Sequence, residues 1–443
     1  MNHISMVNPM RLNIGFVSTR FAGIDGVSLE SSKWARVFED EGHSCFWFAG
    51  ELSKSEHISL QASQANFKDD QNQWINHQLF GTHKKSLRLA RNICNYKSTI
   101  ASRLKLFIDM YRIDLLVVEN ALAIPMHIPL GLALTDVIAE TGIPTIAHHH
   151  DFYWERDRYL PLNGSKTYIH RAFPPRLPNI EHVVINSRAR ANLARLRGIR
   201  ATVIPNVLDF ENSPPADKER IKAFRHSIGL KPDDMMLLQP TRIVQRKGIE
   251  AAIKLVKELN HPRYKLVVSH EAGDEGFEYA LKIKRLARES GVDIRLIDHM
   301  VADPFGPRQH SNDRFSLWEV YQAADFVTLP SLYEGFGNAL LEAIYFKKPL
   351  LVNRYKIFQD DIEPKGLDVV KMDGNLTGEV VTDIKNIIHD KGRRDKMVTR
   401  NYRIASEHYS YALLRKQFAS LISNLFPHQG LAHQECPRAA TGS

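Results

Sequence analysis

Residues 326–343 read FVTLPSLYEGFGNALLEA. The first four, three of them apolar, are short enough to be one buried strand, and a proline ends the run. Gly335 and Gly337 follow, where a backbone can bend sharply and come close to a ligand. From Asn338 onward the apolar residues fall at helical spacing, so a helix starts there. A strand, a glycine turn and a helix start form a natural anion site, because free backbone N–H groups and the helix dipole point at the turn. Glu334 precedes that helix and Glu342 lies inside it, so two carboxylates flank one turn. A carboxylate accepts two hydroxyl hydrogens at once, which suits neighbouring sugar hydroxyls.

The same strand-then-helix unit recurs along the chain. In the first half, strands are predicted at Leu12–Ser18, Cys45–Ala49, Leu115–Val118, Thr145–Ala147, His182–Ile185 and Thr202–Ile204. Helices are predicted at Val27–Glu41, Lys84–Tyr111 and Leu130–Glu140. A glycine loop, Thr19–Gly26, joins the first strand to the first helix. A second series begins after the Pro-rich connector Asn212–Ala216. Its strands are Met236–Gln239, Lys265–Ser269, Asp293–Ile297, Asp325–Leu329 and Leu350–Val352, with helices such as Gly248–Leu259 and Glu278–Ser290. Alternation of this kind gives parallel sheets covered by helices on both faces. The fold class is therefore α/β, with two doubly wound domains facing a cleft. Ligands in such sheets bind beyond the carboxyl ends of the strands. The division expected is 1–208 and 209–407, with a tail from 427 to 443 that is low in apolar residues and expected to be disordered.

A chain of 443 residues is too long for one core, which agrees with two domains. No stretch reaches the roughly 20 apolar residues of a membrane span. The N-terminus lacks the charged head and apolar core of a signal peptide. Cys45, Cys94 and Cys436 are far apart, which fits a reducing, cytoplasmic setting better than a disulfide framework or a zinc site. A net charge of +9 suits phosphate ligands, nucleic acid or an anionic membrane and does not choose among them. The chain shows no helix-turn-helix or stacked-aromatic signature, so nucleic acid is not expected as a partner. The helix from Lys84 could dock on anionic lipid, but a plain solvated basic face is the preferred reading. Nothing in the sequence speaks to oligomeric state.

The second cluster is Gln239-Pro-Thr-Arg242-Ile-Val-Gln-Arg-Lys247-Gly248, at the end of a strand and before a helix. Arg242 and Lys247 can place two cations where a diphosphate leaving group gains charge, which stabilises the transition state more than the ground state. The chain holds no Asp-x-Asp pair, so a metal-free leaving-group site is expected, with no cofactor besides the donor substrate.

Arg242-x4-Lys247 followed by Glu334-x7-Glu342 resembles the signature of the family-four (group 1) retaining glycosyltransferases of the GT-B fold. Gly23 and Gly26 match that family's N-terminal glycine loop, His150-Asp151 its acceptor-side histidine, and Ile204-Pro-Asn206 its crossover. The resemblance spans residues 12–425 and implies a donor that is a nucleotide diphosphate sugar, linked to UDP, GDP or ADP. It implies that Arg242 and Lys247 hold the diphosphate and Glu342 the ribose. Glu334, with the backbone of Phe336, Gly337, Asn338 and Ala339, would hold the sugar, and Gly26 would let the first loop reach the phosphates. His150 would line the point where sugar and acceptor meet. It also implies retention of the anomeric configuration, with no protein base required, and a last helix (408–426) that crosses back to the first domain. One departure is the stretch Ala343–Pro349, which lacks the glycine the family usually has before its proline.

The loop 298–314, with Met300 and Val301, is expected beside the nucleotide base. The segment His148–Tyr159 is unusually polar and aromatic, and it motivates a small soluble acceptor such as a sugar, sugar acid or polyol. Gly23, His149, His150, Asp151, Trp154, Arg156 and Arg158 are the acceptor-side candidates, the two arginines as a possible carboxylate or phosphate clamp. Three consecutive histidines point to alternate faces of a strand, so no metal site is expected from them. Competing readings are transfer to a lipid or surface glycan, a sugar-nucleotide epimerase of the same fold, and a basic nucleic-acid-binding protein.

Overall fold

The structure, a computed structural model, describes residues 11–23, 26–81, 86–160, 164–271, 277–302 and 314–427. Several expectations fall outside these residues: the start of the basic helix at Lys84, most of the loop after Val301, and the tail beyond 427.

Two all-parallel sheets organise the chain. The first comprises β1 (Asn13–Val17), β2 (Ser44–Ala49), β3 (Ser59–Gln61), β4 (Leu115–Glu119), β5 (Thr145–His149), β6 (Ile180–Val184) and β7 (Thr202–Val203), in spatial order β3-β2-β1-β4-β5-β6-β7. The second comprises β8 (Met235–Gln239), β9 (Tyr264–Val268), β10 (Ile294–Leu296), β11 (Phe326–Leu329), β12 (Leu350–Asn353) and β13 (Val370–Met372), in order β10-β9-β8-β11-β12-β13. β4 and β11 are buried at every position, as strands covered on both faces must be.

Each sheet is filled from two sides. Ile14 and Phe16 of β1 pack with Trp34 and Phe38 of helix α1 (Gly26–Asp40), while Val17 packs on the opposite face with Phe107 of α2 (Leu87–Tyr111) and Leu130 of α3 (Ile128–Thr141). The last helix, Tyr411–Leu425, lies on the first sheet: Phe418 stacks on Phe38 at 4.0 Å and meets Trp34 at 4.7 Å.

α2 buries Leu89, Ile93, Ile100, Leu104 and Phe107. Its Lys97 and Lys105 pair with Asp136 and Glu140 of α3, so part of its basic charge is already neutralised within the fold. Among the described residues no helix is long and apolar enough to cross a membrane.

Candidate functional site

Loops that follow the carboxyl ends of strands in both sheets come together, and polar residues gather there. β8 ends at Gln239, and a tight turn, Gln245–Lys247, carries Arg246 and Lys247 onto the loop after β11. Lys247 Nζ donates to Glu334 Oε1, and Arg246 Nη1 donates to Glu334 Oε2 at 3.1 Å. Burial alone would push the Glu334 carboxyl up, but Lys247 and Arg246 outweigh it and hold it below its ordinary range. Burial lowers Lys247, and the neighbouring Arg246 and Arg242 add to that effect. Arg242 itself is exposed. Arg246 is a site residue that spacing alone does not single out.

The turn closes as the glycines require. Gly337 has φ +108°, and a Cβ there would sit 2.3 Å from the Tyr355 hydroxyl, which donates to Phe336 O at 2.7 Å. No side chain caps helix α4 (Asn338–Tyr345), which starts directly after Gly337. Glu342 lies within α4, one turn in. It is not exposed to bulk charge: burial raises its carboxyl, opposed first by the Tyr321 hydroxyl, which donates to Oε2 at 2.7 Å, and then by Lys33 of α1. Tyr321 belongs to a neighbouring helix, Leu317–Ala323, and no local spacing points to it. His270, just past β9, is another such residue. Its pKa is lowered to about 4 by burial and then by Lys247 and Arg242, so it is a neutral imidazole beside the cations.

Met300 and Val301 are half-buried and pack against the second core, before the undescribed residues 303–313.

The first half meets this wall directly. A Cβ on Gly26 would lie 3.8 Å from Asn338 Nδ2, and one on Gly335 would lie 3.5 Å from His150 O. Asn206 Nδ2 donates to Asn338 Oδ1 at 2.5 Å, Asn186 Nδ2 to Gly335 O at 2.7 Å, and Ser187 N to Asp361 Oδ2 at 2.7 Å. Gly23 has φ +75° and stands exposed with open space around its Cα.

The histidine segment needs one correction. The alternation of faces holds, but its consequence differs from the expectation. His148 and His150, two apart, share a face and converge on the fully buried Glu119: His150 Nε2 lies 3.1 Å and His148 Nδ1 3.0 Å from Glu119 Oε2. Burial opposes the ionised carboxylate, but His148 and His150 hold it well below the usual range, at about 2. Burial would lower His150, yet its hydrogen bond to Glu119 raises it above the ordinary value. The three donor atoms lie within 4.8 Å of one another, a set able to take a divalent ion. His149 turns the other way, into the core, where Nε2 lies 2.9 Å from His182 Nδ1 and burial depresses its pKa. It is therefore buried on the opposite face of the strand from His148 and His150. Asp151 accepts from Arg156 Nε at 2.6 Å, Trp154 stacks on Phe152 at 4.4 Å, and Arg158 lies exposed over the Tyr159 ring at 4.7 Å.

Comparison with known proteins bears on the fold and the family. Residues 220–404 match the family model for glycosyl transferases group 1. The chain is 32% identical over 431 residues to the mannosylglucosylglycerate synthase of Thermotoga maritima, covering 90% of this chain and 97% of that one. It is 32% identical over 388 residues to the enzyme of the same name from Petrotoga mobilis, covering 82% and 86%. Among solved structures, a glycosyltransferase from Rickettsia africae superposes with a TM-score of 0.68 at 13% identity, over 94% of this chain and 99% of that one. HepE from Anabaena, bound to UDP and glucose, gives 0.64 at 14% identity, over 93% and 100%. With two parallel-sheet halves, an arginine–lysine–glutamate wall and relatives matched nearly end to end, the chain belongs to the group 1 glycosyltransferases of the GT-B fold and is a sugar-transferring enzyme.

Proposed function

We propose that the chain transfers a hexosyl unit, mannosyl or glucosyl, with retention from a nucleotide diphosphate sugar to a small carboxylated sugar acceptor of the glucosylglycerate kind. The observation that carries the donor half is the cluster of Arg246, Lys247 and Glu334 beside the uncapped start of α4. Glu334 pairs with both cations. A bound diphosphate competes for Lys247, with Arg242 beside it, and leaves Glu334 to accept hydroxyl hydrogens from the sugar. As the glycosidic bond breaks, negative charge grows on the diphosphate and the fixed cations stabilise it, without a metal ion. Glu342, oriented by Tyr321, takes the ribose hydroxyls, and Met300 and Val301 lie toward the base. His150 lines the junction with the acceptor, and a donor phosphate oxygen accepts the acceptor proton.

The acceptor half rests on the relatives' names, whose product combines mannose, glucose and glycerate. Arg156 and Arg158 are the cations suited to a carboxylate there. The division of the chain at about residue 208, with the last helix returning to the first half, is part of the same reading. So is a cytoplasmic enzyme that needs no cofactor and binds neither nucleic acid nor membrane.

A thermal-shift panel of UDP, GDP and ADP sugars, followed by product analysis with glucosylglycerate and neutral polyols, tests this reading. One nucleotide series should stabilise the protein, and Lys247→Ala should lose transfer by about 100-fold or more while staying folded. Full activity of that variant, or no response to any nucleotide sugar, would refute the donor assignment.

A further inference from the structure

Two consecutive residues at the end of β4, Glu119 and Asn120, grip the turn that carries His150. Glu119 stands opposite His148 in the sheet register and is fully buried. Its Oε2 accepts from His150 Nε2 at 3.1 Å. Asn120 has φ +58°, a left-handed conformation that among residues with a Cβ is adopted chiefly by asparagine and aspartate. That conformation is held in place by the turn itself. Asn120 N donates to His148 O at 2.9 Å, its Oδ1 accepts from His150 N at 3.0 Å, and its Nδ2 donates to Asp151 Oδ1 at 2.8 Å. Asp151 in turn holds Arg156 at 2.6 Å. Behind them, Trp34 of α1 stacks on His148 at 4.1 Å.

We propose that Glu119 and Asn120 are positioning residues for His150. Glu119 holds the imidazole by Nε2 and Asn120 holds its main chain. Nδ1, which makes no hydrogen bond among the described residues, is thereby presented to the sugar–acceptor junction. The same clamp sets Asp151, and through it Arg156, on the acceptor side. The inference rests on His150 lying at the reacting site.

Steady-state kinetics of the full chain tests it with E119Q, N120G, H150A and the double variant E119Q/H150A. N120G keeps the left-handed backbone and deletes only the side-chain bonds. E119Q and N120G should each lower kcat by about 10- to 100-fold, the size of a lost charge-assisted bond, with donor KM and nucleotide diphosphate affinity unchanged. In the residual activity of H150A, adding E119Q should change little, because the two act as one unit. Equal losses from E119Q with and without His150 would overturn the clamp. A stoichiometric metal ion in the purified protein that is lost from E119Q would overturn it too, since the carboxylate would then be a ligand. An impaired H150A beside fully active E119Q and N120G refutes the clamp alone. A fully active H150A instead removes the site reading beneath it. If E119Q fails to fold, N120G decides the question by the same criteria.

Discussion

Replacing Tyr321 by phenylalanine removes one oxygen atom and should weaken nucleotide binding at a site that Tyr321 need not touch. The Tyr321 hydroxyl donates to Glu342 Oε2 at 2.7 Å, and the ring stacks on Phe346 at 5.4 Å, a contact phenylalanine keeps. A hydrogen bond to a charged group contributes about 1.5–3 kcal/mol, which is about 10- to 100-fold in affinity. The sign of the pH effect follows from burial. Burial raises the Glu342 carboxyl, and the Tyr321 bond is the first influence opposing it. Without the hydroxyl the carboxyl rises further and is more protonated near neutrality. A protonated carboxyl accepts ribose hydroxyls poorly, so affinity falls as pH falls through the raised value. Calorimetric titration of the cognate nucleoside diphosphate into both proteins, at about pH 6 and about pH 8.5, reads this out. The Y321F deficit should be largest at the acid end and shrink at the alkaline end. Affinities within twofold of each other at both pH values would refute the link between Tyr321, Glu342 and the nucleotide.

Three buried imidazoles should make the fold acid-sensitive. His127 caps α3 by accepting Leu130 N–H at 3.1 Å and reaches Gln64 O at 2.7 Å, and its pKa is about 4 through burial; burial sets the same value for His182 and His270. The unfolded chain binds these protons near the ordinary histidine value, so stability is complete above that value and lost as pH falls toward 4. The slope is about 1.4 kcal/mol per histidine per pH unit. A urea midpoint that stays flat between about pH 7 and 5 would show the reasoning wrong. Gly337→Ala places a methyl 2.3 Å from the Tyr355 hydroxyl at φ +108°; it should lower the melting temperature and raise donor KM, and Tyr355→Phe should restore part of both. A chelator should leave transfer unchanged, because Arg242, Arg246 and Lys247 supply the positive charge; complete loss restored by a divalent ion would contradict that.

The architecture was legible because buried parallel strands leave a plain mark. Phe326–Leu329 is buried throughout and apolar but for Thr328, and the adjacent Leu350–Asn353 is likewise buried at every position. Boundaries shifted by a residue or two, as at Tyr264–Val268 against the expected 265–269. Short or half-polar strands such as Ser59–Gln61 and Val370–Met372 escaped, having too few apolar residues to show a period. The proposed donor wall was readable where its residues share one local turn. It was not where they converge from separate elements: Tyr321 is 21 positions from Glu342, and Glu119 is 31 from His150. The histidine run shows how a sound rule can be applied to the wrong pair. Alternation separates neighbours, as it does His149 from both flanking rings, but it brings residues two apart together.

The bond between Asn206 and Asn338 carries a kinetic consequence. Asn206 sits just after β7, where the chain passes from one half to the other, and Asn338 opens α4 above the donor turn. Any rotation that parts the two halves at this crossover strips a partner from the helix start next to the proposed diphosphate seat. Asn186 and Gly335 O are parted by the same motion. If the proposed diphosphate seat holds the nucleotide, gaping and letting go of the spent nucleotide become a single event, and a hinge beside that seat sets the pace of turnover.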